Sequence, residues 1–362
     1  MAQIFEGSFL TIAALSSKND KDPLFFKDEK YAPSQQGHPG LKKDGTAYTV
    51  YSRTPLDYHP SDNFLLSTID ECYPLVKRAW VYQERLLSPR ILYFGKELGW
   101  ECREASACEC SGMTNGMKYE HSLSLTFTQS TSQLYLQWQN MIEEFSRLCL
   151  SHEDDRLPAF SGLAQQFQSR LQSAYLAGLW KDNLTADLLW YAYPASHDKA
   201  PRYYTRKPVK WRAPTWSWAS LEGPVRYLKP QEDYVLTSFV EIMSAECIPS
   251  SVDKLGAVSE GRLVVRGSTR PALLSHKDDC ERADTQHFSM LGIDTRTRSI
   301  TNHFKVEGQD ANVDYDLIEQ GLMEPNSDMS IHCLHIAGAP FDRYGKEKEV
   351  QNSLKENTVT LV

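Results

Sequence analysis

The stretch "RAWVYQERLLSPRILYFGKELGWEC", residues 78–102, decides how the first third of the chain folds. Placing residues 75–87 at 100° per residue puts Leu75, Val76, Ala79, Trp80, Tyr82, Leu86 and Leu87 on one broad apolar face, so the spacing predicts a helix. Lys77, Arg78 and Arg85 fall on the other side, Glu84 stands at the margin, and Gln83 lands in the middle of the apolar face. Asp70 is placed to cap this helix and Pro74 suits its first turn, while Ser88-Pro89 stops it. "RILYF" and "LGWEC" then flank the turn "GKELG", which predicts a β-hairpin.

Gln83, Glu84 and Arg85 are the candidate catalytic groups of this stretch. A carboxamide at the centre of an apolar face needs hydrogen-bond partners, so a structural network is the plainer role for Gln83. Trp80, Trp100 and Cys102 read as structural or interaction residues.

Working outward, "FLTIAAL" (9–15) is a buried strand or the end of a helix. A polar loop runs from Ser16 to about Thr46, and "AYTVYSRT" (47–54) alternates as a strand does. Residues 103–133 are rich in Ser, Thr and Glu and read as a surface loop. "QLYLQWQNMIEEFSRLCL" (133–150) keeps a helical stripe of Leu134, Trp138, Met141, Ile142, Phe145, Leu148 and Cys149. A second helix follows in "EDDRLPAFSGLAQQFQSRL" (153–171), with Pro158 near its start. Glu153, Asp154 and Asp155 there complement a helix dipole rather than form an acid–base pair. "YLAGLW" and "NLTADLLWY" read as two short helical pieces.

In "RAPTWSWASLEGPVRY" (212–227), Trp216 and Trp218 alternate with Ser217 and Ala219, the pattern of a strand with both indoles on one face. Core packing is their plain role, and stacking on a ligand the sharper one. Strands are expected beyond at "YVLTSFVEIMSAEC", "GRLVVRGS", "HFSMLGID" and "SIHCLHIAG", and a loose charged tail at Arg343–Glu356. The expected architecture is α+β: helices with a small mixed sheet over 1–210, and a mainly antiparallel β-rich domain over 211–362.

Of the 362 residues, 41% are hydrophobic and 24% charged, an ordinary globular composition. A net charge of −8 without a basic stripe argues against nucleic acid as a partner. The N-terminal apolar stretch has no basic lead, and no apolar run approaches the ~20 residues of a membrane span, so no membrane partner is expected. Eight scattered cysteines (72, 102, 108, 110, 149, 247, 280 and 333) read as reduced thiols of a cytoplasmic protein.

Chemistry-bearing motifs are sparse. Cys102-x5-Cys108-x-Cys110 with His121 is the sharpest metal candidate, but its spacing fits no zinc knuckle, and no metal is expected. There is no G-x-S-x-G elbow, and the histidines are isolated; His332 and His335 would fall on opposite faces of a strand. Neither phosphate-binding glycine pattern is present, so no cofactor is expected and no catalytic set is recognisable.

The stretch "KRAWVYQERLLSPRILYFGKELGWEC" resembles the C-terminal part of the fungal heterokaryon-incompatibility (HET) domain, with its R-x-W-x-x-Q-E-x-x-L-S-x-R run and F…W-E-C hairpin. "GSFLTIAAL" resembles the segment preceding it. "DDRLPAFSGLAQQF", "YLAGLWKDNL", "LLWY" and "RAPTWSWASLEGPV" resemble the region that follows the domain in such proteins. The resemblance runs, with gaps, over about residues 8–226. The family's Y-x-A-L-S-Y-x-W-G-like opening strand and W-I-D-x-x-C-I-N-Q-like element do not occur, so the chain resembles a HET protein without its first half-domain.

The resemblance implies non-self recognition and programmed cell death through a protein partner, without catalysis. Two enzymatic alternatives stand beside it. One is a TIR-like NAD hydrolase with Glu84 as its carboxylate; the other is an accessory enzyme of fungal secondary metabolism with Trp216 and Trp218 as a binding wall. A remnant with an exposed sheet edge is a further reading.

Overall fold

The computed structural model describes residues 1–24, 37–52, 73–95, 97–109, 129–192, 207–227 and 240–267. It also gives the backbone of 36, 237–238, 268–277, 287–291, 299–301, 304–306, 328–334, 337–338 and 355–361. The architecture is α+β, with two compact units, Met1–Phe127 and Thr128–Val362.

In the first unit a short helix, Ala2–Glu6, packs on the helix Ala79–Leu87. The sheet contains β1 (Thr11–Ala14), β4 (Arg90–Phe94), β5 (Leu98–Cys102) and β6 (Ser106–Cys108), in the order β1-β4-β5-β6. β1 runs parallel to β4 and the other pairs are antiparallel, so the sheet is mixed. The expected hairpin is β4–β5, with Leu92 opposite Trp100. β2 (Gln36–Leu41) and β3 (Ala47–Ser52) form a separate hairpin. β2 lies inside the stretch read as a loop, because its Gly and Pro content masks any alternation.

The helix expected over 75–87 is interrupted. Pro74–Lys77 forms a 3-10 turn, Arg78 is extended (φ −79°, ψ 124°), and the α-helix begins at Ala79. Asp70, expected as its cap, lies outside the described residues. Arg85, placed by the wheel on the polar side, is buried. Leu86 is half-exposed although the wheel puts it on the apolar face. The wheel measures hydrophobicity, and here an ion pair carries a charged residue inside. β6 also falls within the stretch read as the 103–133 loop.

One face of the sheet and the 3-10 turn hold the unit's core of Leu15, Tyr73, Val76, Ile91 and Tyr93. Burying each such side chain is worth about 1.5–3 kcal/mol.

The second unit opens with the helix Thr131–Phe145, started by a capping box in which Ser130 and Gln133 satisfy each other's backbone N–H. Two 3-10 turns, Glu153–Asp155 and Pro158–Phe160, lead into the helix Ser161–Leu171. "YLAGLW" is a hairpin rather than a helix: β7 (Tyr175–Leu176) pairs with β8 (Leu179–Trp180). Its turn residues, Ala177 (φ 47°) and Gly178 (φ 100°), are both left-handed, the geometry of a two-residue hairpin turn. The helical piece in "NLTADLLWY" is one turn, Leu184–Asp187, before β9 (Trp190–Ala192), which pairs with β10 (Val225–Tyr227).

The Trp216/Trp218 segment is not a strand. Trp216 lies in a turn, and Trp218–Ser220 is a 3-10 turn capped by the Ser217 hydroxyl, which accepts from the Ala219 N–H. A hydroxyl that supplies this local bond competes with a strand ladder.

Beyond it runs a five-stranded antiparallel sheet built on one long strand. β12 (Val240–Pro249) and the terminal strand β19 (Lys355–Leu361) pair with the first part of β13 (Val258–Lys277). β14 (His287–Leu291) and β17 (Asp328–Leu334) pair with its second part. Two short antiparallel pairs lie in the same half of the chain, β11 (Thr237–Ser238) with β18 (Ala337–Gly338) and β15 (Ser299–Thr301) with β16 (Phe304–Val306). The expected strands at 234–247, 261–268, 287–294 and 330–338 all contain observed strand, and Lys355 and Glu356 of the stretch read as a loose tail lie in β19.

Residues on both sides of position 210 share one aromatic core. The rings of Trp138 and Phe160 are 4.8 Å apart, those of Phe145 and Phe160 4.7 Å, and those of Phe160 and Trp218 6.0 Å.

Candidate functional site

The sequence marks Gln83, Glu84 and Arg85, and the structure sends the three in different directions. Gln83 is 2% exposed and engaged in the fold. Arg85 reaches the hairpin: its Nε and Nη2 donate to Glu101 Oε2 at 3.2 and 3.1 Å, and Nη2 also donates to Oε1 at 3.4 Å. The side chains of the pair are only 5% and 11% exposed. Tyr93 donates its hydroxyl to the same Glu101 oxygen, and the Arg85 guanidinium stands 5.9 Å from the Tyr93 ring centroid. Burial pushes the Tyr93 phenol well above its ordinary range, so it acts as a permanent donor.

Strand phase explains the arrangement. Glu101 pairs with Ile91, and Tyr93 pairs with Gly99, so Glu101 and Tyr93 share the core face of β4 and β5. A carboxylate on that face must meet a cation or remain costly. Arg85 is that cation. The pairing was within reach of the sequence, since "LGWEC" places Glu101 out of phase with Trp100 and Cys102, but Glu101 and Tyr93 were not singled out there.

Glu84 is half-buried, and desolvation raises its pKa while the Arg78 charge lowers it. Trp80 and Trp100 are half-buried too, as is Cys102. Ser88 ends the helix by donating to the Glu84 carbonyl at 2.6 Å. Its Oγ also lies 2.8 Å from Thr11 Oγ1, which ties the helix end to β1.

In the second unit, Trp216 is 1% exposed and Trp218 0%, so neither indole offers a face to a ligand. Both belong to a network around the "YLAGLW" turn. The Gly178 carbonyl accepts from Trp138 Nε1 at 2.9 Å and from Trp218 Nε1 at 3.2 Å. Ser217 Oγ donates to the Ala177 carbonyl, and Trp190 Nε1 donates to the Trp216 carbonyl at 2.9 Å. The binding wall expected of the two indoles is therefore core.

Asp187 is fully buried and missed by the sequence reading. It accepts from Gln139 Nε2 at 2.9 Å, Asn183 Nδ2 at 2.7 Å and the Trp180 N–H at 2.9 Å. Burial pushes its pKa up to about 6, while these three hydrogen bonds act to lower it. Arg212 donates to the carbonyls of Ala219, Leu221 and Glu153 and to the Glu222 carboxylate. Arg156 bonds the Gly223 carbonyl at 3.0 Å and stands 5.2 Å over the Trp218 ring. Burial, with Arg212 nearby, lowers the Arg156 pKa to about 9.

Of the metal candidates, Cys102 and Cys108 carry free thiols. Cys108 donates to Glu97 Oε2 at 3.1 Å. Cys110 and His121 lie outside the described residues, as does His335. Among the described residues no group of three or more His, Cys, Asp or Glu side chains is arranged to hold a metal ion. No helix among them is long and apolar enough to cross a membrane. No protein-family model, no curated protein and no solved structure matches the chain.

Proposed function

We propose that the chain is a HET-like protein of fungal non-self recognition and cell-death signalling, acting in the cytoplasm through a protein partner and not through catalysis of its own. The observation that carries this reading is the fate of the Gln-Glu-Arg triplet. Gln83 is buried and Arg85 is committed to Glu101 and Tyr93, which leaves Trp80 and Glu84, together with Val81 and Leu86, half-exposed on the helix. An aromatic four residues from a side chain that can accept hydrogen bonds, on one helix, suits recognition of another protein.

The test is induced expression in a filamentous fungal host. Wild-type protein is expected to arrest growth or kill compartments, and Trp80→Ala and Glu84→Ala to abolish the effect while both variants stay folded by circular dichroism. An unchanged phenotype in both variants overturns the reading.

A second reading, a TIR-like NAD hydrolase, is favoured by one observation: the raised pKa of Glu84, since perturbed carboxylates gather at active sites. Purified protein incubated with NAD separates the two. Released nicotinamide that disappears in Glu84→Gln would replace the interaction reading with the enzymatic one.

A further inference from the structure

We draw no further inference here: the strongest candidate, the side-chain cluster of Tyr175, Trp180 and Tyr227 in the second unit, carries nothing because its two hydroxyls and its indole N–H are closed over by the packed core, which leaves a ligand no access to them among the described residues.

Discussion

The Arg85–Glu101 pair predicts a double-mutant cycle of a particular shape. Replacing Arg85 by Met leaves the Glu101 carboxylate on the core face without this cation; replacing Glu101 by Gln takes from the guanidinium the carboxylate it holds at 3.1 and 3.2 Å. With side chains 5% and 11% exposed, each single change breaks a buried ion pair, and the first, which strands the carboxylate, costs about 3–5 kcal/mol. Tyr93 softens the first change, because its hydroxyl still donates to Glu101. The double variant removes both charges at once and is expected to cost less than the larger single change, giving a coupling of about 2 kcal/mol or more. Urea unfolding at neutral pH followed by tryptophan fluorescence reads all four proteins. Single changes that each cost under about 1 kcal/mol, with additive energies, would mean that the pair behaves as a surface salt bridge and would refute the structural role given to Arg85.

Three further outcomes follow from the second unit. Gly178→Ala is expected to destabilise severely, since φ is 100° and an added Cβ would stand 2.4 Å from Trp218 Nε1; a melting temperature within a degree of wild type would contradict the turn geometry. Gly261→Ala should also destabilise, because the Pro214 ring occupies the Cβ position at 2.1 Å; a thermal melt matching wild type would show that the strand and the tryptophan segment are not in contact. Asp187 predicts a pH dependence. Its folded pKa of about 6 exceeds the ordinary 3.8, so the folded state holds the proton more tightly and stability falls as pH rises between those values. A gap of about two units corresponds to about 3 kcal/mol lost by wild type relative to Asp187→Asn across that window, and parallel pH profiles would contradict it.

What the residues made legible in advance was periodic structure. The helix to hairpin transition at Ser88-Pro89, the Thr131–Phe145 helix and the strand-rich second half follow from spacing and stop signals that act locally. Where local signals misled, a tertiary partner had decided the matter. Arg85 looks solvent-facing until β5 delivers Glu101 to it. "YLAGLW" has helical residue types, but two left-handed residues turn it back so that its carbonyls can receive indoles from two other segments. "TWSWAS" alternates as a strand does, yet Ser217 caps a 3-10 turn and sends its hydroxyl to Ala177. The candidate site shows the same division. The burial of Gln83 was readable from the wheel, whereas the ion pair that occupies Arg85 depends on a residue sixteen positions away.

The most direct test of the claim that this helix recognises a partner is the Glu84→Gln variant in the fungal growth assay. Glutamine keeps the length and hydrogen-bonding reach of the side chain and removes the carboxylate, so recognition tolerates it while acid–base or nucleophilic chemistry does not. The growth effect is expected to persist in Glu84→Gln and to vanish in Trp80→Ala, with both proteins folded. Loss of the effect in Glu84→Gln, with Trp80→Ala still active, would contradict it.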